Sequence, residues 1–443
     1  MHRFRFVLIL VASVFTAFGS VHAADDAKKP TANQPKFELR DGDRVVFLGN
    51  TLIERAQKYG YWETMLTARY PNKSITFRNL GWSGDTVWAD SRGMFDPPAV
   101  GYKRMIEHVT RLKPTVIFVG YGNNEAFAGK AGLPAFIKQY NTLLDDLTKV
   151  SAKGVRLVVL SPVRIPQTTP PYPNRKKHNL NLQLYRNSLH EISRDRSAFF
   201  VDLYGVNELH DRRMQRIQEW RARMYFRAGI PFHRSVISRN QPLTDQAWHA
   251  TDSGHERISY VLDGELYPRS ASDVFDKIAI AEITAEGKVS SKVNLRTANI
   301  KTTNNGLSAE IVCRFPTREL WLSVSDLAPG NYVIKVDGQV IEKTDNVKLA
   351  KTIRVFENDK PGPSVVQYEK LRQTIIAKNI LYFYSWRPQN ITYLTGFRKH
   401  EQGQNAKEIA EFDKLIVAKE KEINKLKKPV AHTYEIIRVK EDK

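Results

Sequence analysis

A single cysteine stands in 443 residues, and that scarcity excludes a disulfide-built scaffold, because Cys313 has no second thiol to pair with. Cys313 is expected to be buried and inert. No Cys cluster and no His-x-x-x-His spacing is present to hold a metal, and neither a P-loop nor a dinucleotide fingerprint occurs, so no cofactor is expected. The acidic residues lack the paired pattern that glycosidase carboxylates need. Zinc-finger, basic-zipper and RNA-recognition signatures are missing as well, which argues against a nucleic-acid partner. No repeat in the range of roughly 20 to 50 residues is visible, so a solenoid is not expected.

Acid is the scarcer charge: 47 Asp and Glu against 68 Lys and Arg leave a net charge of +21. A field of that sign attracts anionic polymers or lipid headgroups without choosing among them. Long apolar runs are lacking except at the N-terminus, where Arg3 and Arg5 precede an apolar stretch from Phe6 to about Phe18 and the small-residue end Val21-His22-Ala23. That is the pattern of a signal peptide over residues 1–23, and its run is short for a membrane span of about 20 residues. The protein is therefore expected to be secreted or periplasmic, with no membrane span after cleavage. Its mature form loses two bases and no acids, which leaves a charge near +19 for an anionic cell-envelope polymer to meet.

What is present is a globular composition, with 42% hydrophobic residues, too many for a disordered chain, and a length that allows two or three domains. Residues 24–36 read as a polar N-terminal arm. Over 37–275 short β-branched runs alternate with amphipathic stretches, the pattern of a parallel sheet covered by helices. The expected strands are Arg44 to Leu48, Ile75 to Leu80, Thr115 to Val119, Arg156 to Leu160 and Ala198 to Asp202. Helical spacing marks Tyr61 to Tyr70, Ala135 to Ser151, Leu180 to Arg194 and Gly254 to Asp263. A three-layer α/β/α domain follows. Residues 276–360 turn to short alternating runs between Gly, Asn and Asp turns, as in a small antiparallel sheet or sandwich. The remaining 361–443 read as helical, over Val365 to Trp386 and Lys407 to Lys428.

Four blocks carry chemistry. Val45 to Leu48 ends in Gly49-Asn50-Thr51-Leu52, and a hydroxyl just beyond a strand's carboxyl end lies where ligands collect in an open parallel sheet. Asn79-Leu80-Gly81-Trp82-Ser83-Gly84-Asp85-Thr86 again follows a strand, with glycines that let a backbone N–H come close to a bound oxygen. Val116 to Val119 leads into Gly120-Tyr121-Gly122-Asn123-Asn124-Glu125, whose amides can donate to an oxyanion. Leu243 to Gly254 places Asp245 shortly before His249 in a loop that opens a helix.

In this order the blocks resemble the SGNH (GDSL-type) hydrolase superfamily, over residues 44 to about 262. The wider sequence, with Gly84 to Trp88, Trp386 to Asn390 and Arg398 to Ala406, resembles an exported subgroup of planctomycete-type bacteria. The resemblance implies a flavodoxin-like α/β/α fold and an esterase that cleaves small acyl esters, O-acetyl groups of a polysaccharide among them. By position, the nucleophile falls on Thr51 and the base on His249; the acid's place falls on Gln246, so the neighbouring Asp245 serves in its stead or the site works as a dyad. The oxyanion donors fall on the Thr51 N–H, the Gly81 N–H and the Asn124 amide.

The sequence departs from the family at Asn50-Thr51, where an Asp-Ser pair is usual. A threonine hydroxyl can attack when a base activates it, and the alternative is that Thr51 only caps a turn or helix. His249 is favoured by the glycine five residues after it, Gly254, as the family has it, whereas Asp252 and His255 offer a second acid and base pair. Gln246 stands where the family's acid would be. Ser83 is a substitute nucleophile, more simply a turn residue, and Asp85 and Asn79 are expected to stabilise the second block. Trp82, Trp88 and Trp248 could form a sugar-stacking face or merely pack. The rival from another class is a carbohydrate-binding or scaffold protein that keeps the fold without turnover.

Overall fold

Four consecutive apolar side chains in Arg44–Gly49 (β1) cannot all face one core, and they divide by alternation: Val46 and Leu48 enter one cluster, Val45 and Phe47 the other. The same split recurs in Val116–Gly120 (β3) and Arg156–Leu160 (β4). Burial on both faces is what a parallel sheet between helix layers requires. With Thr76–Gly81 (β2) and Phe199–Val201 (β5), these strands form a parallel sheet in the order β2-β1-β3-β4-β5. The computed structural model describes residues 37–94, 96–166, 174–206, 244–245, 249–267, 278–314, 319–355, 361–387, 400 and 405–439. The expected signal peptide and arm, residues 1–36, lie outside these, as do Gln246 and Trp248.

One face of the sheet is covered by Pro98–Leu112 (α3), Gly129–Val150 (α4) and Arg175–Asp195 (α5), through residues such as Val109, Tyr140, Leu144 and Leu189. The other is covered by Thr51–Tyr59 (α1), Tyr61–Arg69 (α2) and Asp252–Leu266 (α6), through Ile53, Trp62, Leu66, Ile258 and Leu262. The result is the α/β/α sandwich expected from the pattern. Helices α1 and α3 carry no expectation in the sequence reading. Asn50 caps α1 by accepting from Leu52 N–H at 3.1 Å, and Pro98 opens α3 at a position where a missing N–H costs nothing.

The β region has two sheets closing on one core. Ile278–Thr284 (β8) pairs in parallel with Glu319–Ser325 (β12), with Val289–Val293 (β9) and Ile353–Arg354 (β15) at the edges, the last preceded by the short helix Asn346–Lys351 (α7). The second sheet is antiparallel: Leu295–Thr303 (β10), Gly306–Cys313 (β11), His432–Arg438 (β16), Asn331–Val336 (β13) and Gln339–Asp345 (β14). Cys313 is buried in this core, where desolvation raises its thiol to a pKa of about 11.

The segment 361–443 carries Pro363–Trp386 (α8) and Asn405–Leu426 (α9), yet it also ends in β16, which the helical reading did not contain. Tyr434 and Ile436 of β16 alternate into the core between β11 and β13, strands more than ninety residues earlier. Helix α8 packs on α1, α2 and β2. Lys378 of α8 is buried against Glu63 of α2, with Nζ 2.5 Å from Oε1 and 3.1 Å from the Phe77 carbonyl, and Asn379 donates to the other Glu63 oxygen. Among the described residues, no helix is long and apolar enough to cross a membrane.

Candidate active site

Three strands end level in glycine: Gly81 of β2 and Gly120 of β3 both pair with Gly49 of β1. In the 2-1-3-4-5 order the chain reverses direction across the sheet at β1 and β3, and such a switch point opens a crevice at the strands' carboxyl ends. The first three blocks emerge into that crevice.

Thr51 is the first residue of α1 and is half-buried. Its Oγ1 accepts a hydrogen bond from the Gly84 N–H at 2.9 Å. The cap of α1 is Asn50, so the Thr51 hydroxyl is not spent on capping. The Thr51 N–H belongs to the first-turn amides that an α-helix leaves without an intrahelical acceptor.

Gly81, the expected oxyanion donor, is differently employed. Its N–H donates to Asn79 Oδ1 at 2.8 Å, and Asn79 in turn donates to the Ile53 carbonyl. A Cβ at Gly81 would stand 2.2 Å from the Glu54 backbone nitrogen, so this glycine serves the close approach of β2 to α1. The N–H that reaches Thr51 is that of Gly84, whose φ of +74° suits glycine. The assignment of the second-block donor to Gly81 is corrected on this geometry.

Asn124 follows β3 and donates through Nδ2 to the carbonyl of Asp85 at 2.8 Å, joining the third block to the residue after Gly84. Behind them lies a buried polar cluster. Arg92 Nε donates to Asp85 Oδ2 at 2.6 Å, Tyr121 OH donates to the same oxygen at 3.0 Å, and Arg92 also reaches the Leu80 carbonyl. Burial raises the Asp85 carboxyl against the opposing pull of Arg92. Glu125 accepts from the N–H groups of Val87 and Gly122, both at 2.7 Å, and so ties the second and third blocks together. Desolvation pushes its carboxyl up to about 7.

His249 and Asp245 face each other across a two-residue antiparallel pairing, Thr244–Asp245 (β6) with His249–Ala250 (β7). Nδ1 of His249 is 3.2 Å from Asp245 Oδ1, and Arg55 lies 3.7 Å from the other carboxylate oxygen. Strand β7 packs on α1, the helix that starts with Thr51. Among the described residues no hydrogen bond joins His249 to the Thr51 hydroxyl. The alternative base, His255, is fully buried in α6 with its ring 4.8 Å from that of Tyr59, and neither ring nitrogen has a partner. Desolvation lowers its pKa to about 3, so it stays neutral and enclosed.

Ser83 is held by Glu54, which accepts from its N–H at 2.7 Å and from its hydroxyl at 2.9 Å. Trp82 is buried under Arg387, whose guanidinium carbon is 3.6 Å from the ring centroid, and Trp88 packs on the main core. Neither ring is an open sugar platform. Arg92 carries no expectation from the sequence, and Gly84 and Glu125 enter it only as members of their blocks, although the dipeptide Ser83-Gly84 after a strand is itself a signal for a turn with positive φ.

The fold and the crevice define an α/β/α domain with its polar groups gathered at the switch point of a flavodoxin-type sheet. Residues 45–257 match the GDSL-like lipase/acylhydrolase family, and the match supports the SGNH hydrolase superfamily for this α/β/α domain and hydrolase activity of the esterase/acylhydrolase kind. Its fold is similar to that of a gut microbial diltiazem-metabolizing enzyme, at 16% identity and a TM-score of 0.63, over 92% of this chain and 99% of that one. An acetylxylan esterase from Geobacillus stearothermophilus is 18% identical, with a TM-score of 0.34 over 52% of this chain and 96% of that one. A GDSL-like lipase from Bacteroides thetaiotaomicron is 16% identical, with a TM-score of 0.31 over 51% and 87%. Among curated proteins nothing matches.

Proposed function

We propose that the chain is an exported esterase that hydrolyses small acyl esters, O-acetyl groups on polysaccharide in particular, through an acyl-enzyme on Thr51. The observation that carries the reading is the Gly84 N–H aimed at Thr51 Oγ1 beside an Asn124 amide fixed on the next carbonyl. Asp245 would hold the Nδ1–H of His249, leaving Nε2 free to act as base. His249 takes the hydroxyl proton as Thr51 Oγ1 attacks the ester carbonyl. The negative charge that develops on the carbonyl oxygen meets the N–H groups of Thr51 and Gly84 and the second Nδ2 hydrogen of Asn124. Collapse expels the alcohol, which takes the proton from His249, and water repeats the sequence to release the acid.

The basic start, apolar run and small-residue end of residues 1–23 support export, and the charge of +21 supports an anionic envelope polymer near the substrate. A fold-only binding protein is the second reading, favoured by Thr in place of Ser and by the lack of a direct Thr51 to His249 bond. Hydrolysis of an activated acetate ester by the purified protein, compared with Thr51→Ala and His249→Ala, separates the two. Loss in both variants supports the esterase; no hydrolysis above buffer, or hydrolysis untouched by either change, contradicts it.

A further inference from the structure

Arg387 closes helix α8, outside the family-matched residues 45–257, and yet its side chain lies against the second block. Its Nη1 donates to Glu54 Oε2 at 2.6 Å. The same Glu54 carboxylate receives the N–H and hydroxyl of Ser83, and Ser83 precedes the Gly84 whose N–H meets Thr51. The guanidinium also lies over Trp82, the residue before Ser83, while the Trp386 ring meets the same indole at a tilt, with centroids 5.8 Å apart. Four turns earlier on α8, Arg372 donates to the Tyr59 carbonyl at the far end of α1 at 2.8 Å. Helix α8 thus grips α1 at both ends and seats its last residue on the loop after β2.

Glu54 lies one turn along α1 from Thr51 and binds Ser83, so its carboxylate is a fixed negative charge next to the loop that carries the proposed Gly84 donor. Such a charge opposes an oxyanion unless it is neutralised. Arg387 is the neutralising cation, and with Glu54 it also pins the Ser83 amide. We infer that Arg387 is a positioning residue for the Gly84 loop, supplied by the C-terminal helix, and that it cancels the charge of Glu54 next to that loop. The inference rests on the reading of Thr51 and Gly84 given above. It makes the C-terminal helices part of the hydrolase rather than an appendage.

The test is steady-state kinetics of the full chain on an activated acetate ester for wild type, Arg387→Ala, Arg387→Lys and the double variant Glu54→Gln with Arg387→Ala, each with its thermal midpoint. A misplaced donor costs on the order of 10- to 100-fold, so Arg387→Ala is expected to lose that much in kcat with KM changed by less than about threefold. Arg387→Lys keeps the charge and restores part of the rate. Glu54→Gln in the Arg387→Ala background removes the stranded carboxylate and also restores part. Unchanged kcat in Arg387→Ala, or a loss that neither Arg387→Lys nor Glu54→Gln relieves and that follows the unfolded fraction, overturns the inference. An inactive wild type instead overturns the esterase reading itself.

Discussion

The N–H of Gly84 points at the hydroxyl oxygen of Thr51 across 2.9 Å, joining two residues thirty-three positions apart. The contact exists because Gly49 and Gly81 end their strands in register and the chain after Gly81 turns back over the start of α1. It holds a backbone N–H donor beside the Thr51 hydroxyl.

Gly84→Ala is expected to fold and to lose turnover. The φ of +74° is strained for alanine, and the new Cβ would stand 3.3 Å from Ser91 Oγ. Stability falls by about 1 kcal/mol, while kcat falls on the order of 100-fold as the N–H leaves its place. Comparison of the thermal midpoint with kcat checks that the second effect exceeds the first.

His249 and His255 are expected to separate cleanly. In the proposed mechanism His249→Ala removes the base, and kcat is expected to fall by at least about 100-fold. His255→Leu, in an enclosed site where the imidazole makes no hydrogen bond, keeps kcat within about threefold, and initial rates on one ester decide the matter.

Glu125 predicts a pH dependence of stability. Burial pushes its folded carboxyl up to about 7 from an ordinary value of 4.5, so between those values the folded state binds the proton and the unfolded state has released it. Stability therefore falls as pH rises from about 4.5 to 7, by at most about 3 kcal/mol from this group. Urea midpoints across that window fall more steeply in wild type than in Glu125→Gln if the account holds.

Lys378→Met strands the Glu63 carboxylate in the core and is expected to cost about 3 to 5 kcal/mol. The double variant with Glu63→Gln recovers part of the loss. Denaturant unfolding followed by fluorescence reads both, and a loss below about 1 kcal/mol in Lys378→Met contradicts a load on this ion pair.

The parallel sheet was legible because each strand is a near-continuous apolar run bounded by Gly or polar turns, and the expected and observed limits of β4 coincide at Arg156 and Leu160. Helices α1 and α3 escaped notice for local reasons. The first begins inside the motif at Thr51, and the second carries Gly101 among few buried residues. Strand β16 was not legible because its partners lie far upstream, and no local pattern states which edge a seven-residue strand will fill. Within the site, block order points to Thr51, Asn124 and His249, but the choice between Gly81 and Gly84 depends on where each N–H is directed. Only the acceptors, Asn79 Oδ1 for one and Thr51 Oγ1 for the other, decide it. Arg387 is invisible to motif reading because it acts across the fold.

Mass spectrometry of the protein after brief reaction with an activated acetate ester reads the acyl-enzyme itself. One added acetyl group is expected, mapped to Thr51 and absent from Thr51→Ala. An acetyl group on another residue, or hydrolysis that proceeds undiminished in Thr51→Ala, would contradict the Thr51 assignment.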